Sequence, residues 1–267
     1  MSAETLERVG RSSGLEWLAR TGFVARGLIY SITGVLAFEL ALGTGGKNAD
    51  QQGALTALAE QPFGTVLLAV VTIGLAGYAL WRLIHALLGH GPETSDDAVA
   101  RLTAVASAFA YSGLCAIGVS ILLGSRSGSS GNARRTTAGV FGWPGGRWLV
   151  AVAGAALIGI ALYQGYRALS KDFLEDSKAE EAGPLLRKWI AWIGAFGHLA
   201  RMVAFGLVGA FLLKAAVEFD PNKVEGLDGV LAKLSHTPYG PVMLGIVAAG
   251  LIAFGVYSLT DARFRRL

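Results

Sequence analysis

Four long apolar stretches in this chain contain no Asp, Glu, Lys or Arg. They cover residues 61–81, 102–125, 148–166 and 237–260. A helix needs about 20 mostly apolar residues to cross the hydrocarbon core of a bilayer. A helix also satisfies its backbone hydrogen bonds internally, which hydrocarbon requires because it offers no water. Two further stretches, 22–42 and 189–213, are apolar but carry a few ionisable groups, and we count them as spans too.

The sequence therefore predicts six transmembrane helices in an all-α integral membrane protein. Their expected bounds are 22–42, 63–88, 100–123, 147–169, 189–216 and 240–260. The composition agrees, since only 16% of the residues are charged, whereas an average soluble domain is about 25% charged. The first twenty residues mix acidic and basic side chains without a separate apolar stretch, so we expect no cleavable signal peptide.

The six spans form three copies of one two-helix unit. Gln-Pro-Phe-Gly at residues 61–64 opens one apolar run, and Thr-Pro-Tyr-Gly at 237–240 opens another. A degenerate copy, Trp-Pro-Gly-Gly, lies between them at 143–146. The predicted repeat units run over residues 15–90, 98–172 and 185–262.

The copies also correspond position by position. A shift of 175 residues places Arg26 on Arg201 and Tyr30 on Phe205. Because each unit holds two spans, all three units enter the membrane in the same direction, and their symmetry axis should lie along the membrane normal. We expect a pseudo-threefold bundle in which either the first or the second helix of each unit forms an inner ring of three. Such a ring leaves no aqueous pore through the monomer.

The basic residues predict the orientation. If the N-terminus lies in the cytoplasm, 15 of the 23 Lys and Arg residues fall on the cytoplasmic side and 8 on the other. Cytoplasmic loops carry the excess of basic residues, so we predict that both termini are cytoplasmic. The net charge of +4 follows from this bias, and we expect no nucleic-acid partner.

Several motifs resemble a known family. Residues 22–27 read Gly-x-x-Ala-Arg-Gly, a Pro-x-Gly turn follows, and residues 77–82 read Gly-Tyr-Ala-Leu-Trp-Arg. This pattern resembles the domain of unknown function 1206, a family of bacterial membrane proteins with a two-helix unit repeated three times. The second copy departs with Ser107 where arginine is expected, and the third has Ser258 in place of the closing arginine. The resemblance implies this fold in the bacterial plasma membrane, and it implies no catalytic residue and no cofactor.

Ionisable residues inside the spans are the candidate binding residues. Arg26 and Glu39 bracket twelve uncharged residues in the first span, and Arg201 and Lys214 bracket twelve in the fifth. Thirteen steps of 1.5 Å make about 20 Å, which is less than the hydrocarbon thickness of about 30 Å. Either these side chains snorkel toward the headgroups, or Glu39 and Lys214 form an ion pair between the first and fifth helices. Tyr30, one turn beyond Arg26, joins the candidate set.

Arg82 completes the set, at the inner end of the second span beside Trp81. Aromatic residues next to arginine are typical of headgroup depth, so this group is either an interfacial anchor or a lipid-headgroup site. The histidines at positions 85, 90 and 198 show no metal-binding spacing, and we predict no metal site and no cofactor.

The connections and the glycines carry further predictions. Residues 54–58 and 230–234 have short amphipathic patterns and should lie along the outer interface. Residues 125–139 are rich in Ser, Gly and Arg and should form a mobile loop. The glycines within the spans serve either close helix packing or hinging, and we favour packing.

These features support three functional hypotheses. The first is a non-enzymatic scaffold or accessory subunit, because no polar site is organised deep in the spans. The alternative is a transporter or binding protein for a small solute or lipid, favoured by the repeat symmetry and the charged residues in the spans. A membrane enzyme at the inner interface comes third, since no catalytic residues can be assembled. The expected partners are membrane lipids and another membrane protein.

Overall fold

The computed structural model shows an all-helical chain and describes residues 13–45, 48–88, 98–124, 129–174 and 183–265. The α-helices are α1 (Ser13–Ala41), α2 (Gln51–Ala59), α3 (Gly64–Leu88), α4 (Ala98–Leu122), α5 (Ser129–Phe141), α6 (Gly146–Ser170), α7 (Pro184–Glu218), α8 (Leu227–Ser235) and α9 (Gly240–Phe264). Short 3-10 helices follow α6 and α7, at Asp172–Leu174 and Pro221–Lys223.

Six of these helices, α1, α3, α4, α6, α7 and α9, are long and apolar enough to cross a membrane. They confirm the six predicted spans. The first helix is described from Ser13 onward, so the chain is already helical nine residues before the predicted start of the first span. The longest helix, α7, has 35 residues, which at 1.5 Å per residue makes about 52 Å and exceeds the hydrocarbon thickness.

The repeated Pro-x-Gly phrase is a turn that starts the second helix of each unit. In each copy the amide of the last glycine donates to the carbonyl of the first residue, at 2.7 Å for Gly64, 2.9 Å for Gly146 and 2.8 Å for Gly240. The third residue is left-handed in every copy, with φ of 61° at Phe63, 78° at Gly145 and 61° at Tyr239. Proline at the second position and positive φ at the third are typical of a type II turn.

A Cβ on the final glycine of this turn would overlap a backbone carbonyl oxygen of the preceding short helix. The oxygen belongs to Ala59 in the first copy, Val140 in the second and Leu234 in the third. The turn therefore brings a short helix and a span so close together that only glycine fits. This requirement explains why the phrase recurs in all three units.

The spans pack in alternation, with first helices against second helices. Helix α1 packs on α3 of its own unit and on α9 of the third unit, and α7 packs on α9 and on α6. Helix α4 packs on α3 of the preceding unit. Within the described residues, no extensive contact joins two first helices or two second helices, so the expected inner ring of three equivalent helices is wrong. The two spans of the middle unit, α4 and α6, also lack extensive contact in this part of the chain.

Small residues explain this alternation. A Cβ on Gly22 of α1 would lie 2.9 Å from Cα of Tyr78, and one on the equivalent Gly197 of α7 would lie 2.6 Å from Cα of Phe254. Between the units, a Cβ on Gly34 of α1 would lie 2.8 Å from a carbonyl oxygen of α9. Helices in lipid associate through such close approaches, so these contacts support a packing role for Gly22, Gly34 and Gly197.

The outer connections partly match the prediction. Helices α2 and α8 form at the two expected amphipathic segments, and Leu55 and Leu231 on them are fully buried. The expected mobile loop at 125–139 is wrong over its described part, because Ser129–Phe141 is helix α5. Arg134 ties α5 to the third unit, where it lies 2.7 Å from Glu225 Oε1. Residues 125–128 lie outside the described residues.

Candidate functional site

Arg26 joins three helices through its guanidinium. Nε donates to Ser258 Oγ at 2.6 Å, Nη1 donates to Tyr78 Oη at 2.8 Å, and Nη2 lies 3.1 Å from Asp261 Oδ2. Ser258 and Asp261 are three residues apart and therefore share one face of α9. The Arg26 side chain is only 5% exposed, so it does not snorkel toward the headgroups as one interpretation expected.

Both ends of this network have second partners. Asp261 Oδ2 also lies 3.2 Å from Arg265 Nη1, and Tyr78 Oη also accepts from Arg82 Nε at 3.1 Å. Arg265 lies just past the last span, where burial, together with the neighbouring charge of Arg82, lowers its pKa to about 9. The shared carboxylate of Asp261 thus balances two guanidinium groups in a buried setting.

Ser258 occupies the position at which the first unit carries its closing arginine. Its side chain is fully buried against α1, and its Oγ donates to Phe23 O at 3.2 Å. An arginine here would place a second guanidinium against that of Arg26. The departure of the third repeat from the first at this position therefore makes room for Arg26.

Arg201 is the repeat equivalent of Arg26, and its surroundings differ. Its guanidinium carbon lies 4.3 Å from the ring centroid of Phe254, 5.0 Å from that of Phe205 and 5.2 Å from that of Tyr30. Phe254 stands where the first unit has the hydroxyl of Tyr78. In the part of the chain that the structure describes, no carboxylate pairs with Arg201.

Gln164 of α6 links Arg201 to His198. The amide satisfies both neighbours when its nitrogen donates to His198 Nδ1 at 2.6 Å and its oxygen accepts from Nη1 and Nη2 of Arg201, both at 3.1 Å. His198 is only 3% exposed. Since Nδ1 accepts, the proton of the neutral ring lies on Nε2. This Nε2 and the Nε of Arg201 are buried and have no hydrogen-bond partner among the described residues.

The structure gathers four of the six predicted binding residues into this region. Arg26, Tyr30, Arg82 and Arg201 surround the rings of Tyr78 and Phe254. A buried cation stacked on aromatic faces gains cation–π attraction. The cluster lies in the half of α3 and α9 that the predicted orientation places toward the cytoplasm.

The other two candidates do not join the cluster. Lys214 lies 4.0 Å from Glu218, one turn along the same helix, and Glu218 also lies 3.8 Å from Lys223. Glu39 is exposed and forms no ion pair with any residue that the structure describes. The predicted ion pair between Glu39 and Lys214 is therefore not formed, because α1 and α7 have no extensive contact.

Sequence reasoning missed the partners of the two arginines. The predicted last span ended at residue 260, whereas α9 continues to Phe264 and buries Asp261. The spacing of Asp261 and Arg265 by one helical turn was the available signal. His198 was interpreted as interfacial, but it is buried beside Phe173, with ring centroids 5.2 Å apart. Because Gln164 belongs to a different repeat, no local sequence pattern indicates this contact.

No metal site is present in the described segments, which contain no cluster of three His, Cys, Asp or Glu side chains able to hold an ion. His90 lies outside the described residues, and the side chain of His85 is not described. The buried polar groups therefore form a network of arginines, aromatic rings and hydrogen-bonding side chains.

Comparison with known proteins agrees with the repeat. A family model described as Domain of Unknown Function (DUF1206) matches residues 21–89, 102–171 and 196–265. The chain is 31% identical over 252 residues to Uncharacterized protein YxxB of Bacillus subtilis (strain 168), which covers 93% of this chain and 90% of that protein. No solved structure matches the chain. The three matched segments contain both arginines and the partners described above.

Proposed function

The chain belongs to the DUF1206 family, and from its own geometry we propose that it is a non-enzymatic accessory subunit or scaffold in the bacterial plasma membrane. Its proposed role is to dock a transmembrane helix of another membrane protein. The excess of basic residues on one side supports an orientation with both termini in the cytoplasm. The buried polar groups around Arg26 bind one another, which supports a structural role for them.

One observation carries this proposal, and it concerns a glycine that recurs in all three units. Gly74 in the first unit and Gly250 in the third pack against the first helix of their own unit, at Ala25 and Ala200. The equivalent residue of the middle unit is Gly159 on α6, 85 positions after Gly74. A Cβ on Gly159 would meet no atom within 4 Å. The helix-packing face of the middle unit is therefore open.

The whole middle unit shares this openness. In the 18-residue apolar window of each span, 17% of the third span is buried, against 28% of the fourth and fifth and 56% of the first and second. Gly113 on α4 also has no atom within 4 Å of an added Cβ. Because small residues mediate helix association in lipid, we infer that a helix of a partner protein fills the place that α4 leaves beside α6.

The test is site-specific crosslinking in the native membrane. A photoreactive residue in place of the exposed Ala155 on α6 should crosslink a discrete membrane protein, and Gly159→Leu should abolish that crosslink. Gly159→Leu should still fold, because it projects into open space. Gly139→Leu on α5 is the matched control, since its added Cβ also meets nothing within 4 Å. An unchanged crosslink in the Gly159→Leu protein would contradict the proposal.

A lipid- or solute-binding role is the second candidate function. The observation that favours it is the Arg201 guanidinium, which has no carboxylate partner within the described part of the chain. A cation without a counter-ion is costly inside a membrane. An anionic ligand would remove that cost, whereas a docked apolar helix would not.

A further inference from the structure

Arg26 and Arg201 are the same residue of the repeat, yet only one of them is neutralised. Arg26 lies 3.1 Å from the Asp261 carboxylate, and its Nε and Nη1 donate to hydroxyl groups. Arg201 meets one neutral amide, that of Gln164. Because both side chains occupy equivalent helix positions, Arg26 serves as an internal reference for Arg201. Arg26 joins helices and has a counter-ion, whereas Arg201 has none among the described residues.

Some N–H donors around Arg201 have no acceptor among the described residues. A guanidinium carries five N–H donors, and the amide oxygen of Gln164 accepts from Nη1 and Nη2. The Nε donor is buried and unpartnered, and so is Nε2 of His198, which is 3% exposed. Buried donors of this kind destabilise a protein when they are left unsatisfied. The free donors all come from one positively charged group and one neutral imidazole, so their common partner is an anion.

Arg201 points into the space enclosed by the spans, which pack in the order α4, α3, α1, α9, α7 and α6. It starts on α7 and reaches the ring of Tyr30 on α1, although α1 and α7 have no extensive contact. The ring of Tyr111 on α4 packs on that of Tyr78 on α3, with centroids 4.5 Å apart. The interior is therefore bounded by α1, α3, α4, α6, α7 and α9. Helices α4 and α6 have no extensive contact within the described residues, and we take the opening between them as the route from the bilayer.

We propose that Arg201 and His198 bind an oxyanion, a phosphate or carboxylate, carried by an amphiphile that enters between α4 and α6. The planar fork of a guanidinium binds these groups in bidentate geometry. Arg201 provides the charge, and Nε2 of His198 provides a neutral donor. Gln164 is a positioning residue, since its amide holds the tautomer of His198 and the orientation of Arg201 at once.

The depth of the site favours an amphiphile over a free ion. Arg201 lies nine residues beyond the exposed Trp192 on the same helix, which is about 13 Å along the axis. Trp at this end of the span is typical of the headgroup level. A free ion would lose its hydration on the way to Arg201, whereas an amphiphile keeps its chains in the bilayer. The apolar faces of α4 and α6 beside the opening suit those chains.

The site does not require a partner helix. Gln164 lies five residues, or about 8 Å, from Gly159 toward the inner end of α6. A transmembrane helix docked at Gly159 would cross every depth of this opening, so the partner helix and the amphiphile are alternative occupants of it. Each has its own readout, since docking is measured by a crosslink and anion binding by a ligand-dependent melting temperature.

The experiment compares thermal melts of the full-length protein in a neutral detergent with added phosphatidylglycerol, phosphatidylcholine or inorganic phosphate. We expect phosphatidylglycerol to raise the Tm of the parent and phosphatidylcholine to leave it unchanged. Arg201→Met should abolish the shift and lower the amount of co-purified anionic lipid about tenfold or more, as the loss of a charged hydrogen-bonding partner predicts. Lys188→Gln, which removes an exposed basic residue of the same helix, should keep both.

Melts without added anion separate ligand binding from a structural role, with Arg26→Met as a second variant. In neutral detergent without added anion, Arg201→Met should melt at or above the parent, because it removes an uncompensated charge. Arg26→Met should melt below the parent under the same conditions. A shift produced by inorganic phosphate alone, and lost in Arg201→Met, would support an anion site supplied from solution. Equal responses of the parent and Arg201→Met to every additive would overturn the proposal.

Discussion

Replacement of Asp261 by asparagine tests whether the arginine network holds the bundle together. Asp261 is 2% exposed and lies 3.1 Å from Arg26 and 3.2 Å from Arg265. Asp261→Asn leaves two buried guanidinium groups with no carboxylate at that position. Removal of one partner from a buried ion pair costs about 3–5 kcal/mol, so we expect a loss of unfolding free energy of this size.

Arg26→Met should cost less than Asp261→Asn, although Arg26 makes more contacts. Asp261 keeps Arg265, Tyr78 keeps Arg82, and Ser258 keeps the carbonyl of Phe23, so no partner is orphaned. The expected cost is that of one hydrogen bond to a charged group, about 1.5–3 kcal/mol. The two substitutions share one interaction, so the double variant should cost less than the sum of the single variants.

The assay is equilibrium unfolding of the full-length protein in mixed micelles, with an exposed ion pair as the reference. Lys214 and Glu218 lie 4.0 Å apart with side chains 55% and 41% exposed, and such pairs contribute about 0–1 kcal/mol. Lys214→Met is therefore the matched control. If Asp261→Asn cost no more than Lys214→Met, the network would not stabilise the fold, and the reasoning from burial would be refuted.

Three further predictions concern the turns, the glycines and the orientation. Phe63→Gly should stabilise the protein by about 1 kcal/mol, since a left-handed non-glycine residue costs about 1–2 kcal/mol and Phe63 is 85% exposed; destabilisation on chemical unfolding would contradict this. Gly22→Ala should lower the Tm because its Cβ would meet Tyr78, whereas Gly113→Ala should leave the Tm unchanged or raise it; equal effects would argue against glycine packing. In a Cys115→Ala background, a membrane-impermeant thiol reagent added to intact cells should label cysteine at the outer position 237 and not at the inner position 171. The reverse pattern would invert the predicted orientation.

The element types and the repeat could be predicted because both are local. Charge-free runs of membrane length leave few alternatives to a helix, and the six spans were placed within a few residues except at the long ends of α1 and α7. The Pro-x-Gly phrase predicted the start of each second helix because its turn depends on four neighbouring residues. The same local reasoning failed for α5, whose polar composition suggests a loop, and which the contact of Arg134 with Glu225 ties to the third unit.

The candidate site was predictable only in part. Arg26 and Arg201 are visible in the sequence because charges in apolar runs are rare and costly. The partners of the two arginines cannot be predicted, since the sequence around each arginine is similar and the partners lie far along the chain. Asp261 is 235 residues from Arg26, and Gln164 is 34 residues from His198. The pairing of Glu39 with Lys214 failed for the same reason, because equal depth in the membrane does not place two helices side by side.

The sequence by itself determined that this chain lies in a membrane, crosses it six times and repeats one two-helix unit three times. Hydrocarbon forces these results, since a helix needs about 20 apolar residues to cross it and unpaired backbone groups are excluded from it. Only the tertiary structure decided that first helices pack on second helices and that the middle unit stays open at Gly159. It also decided that Arg26 has a carboxylate partner and Arg201 has none among the described residues. Contacts between helices depend on which surfaces fit together, and the sequence of one helix does not specify which helix packs against it.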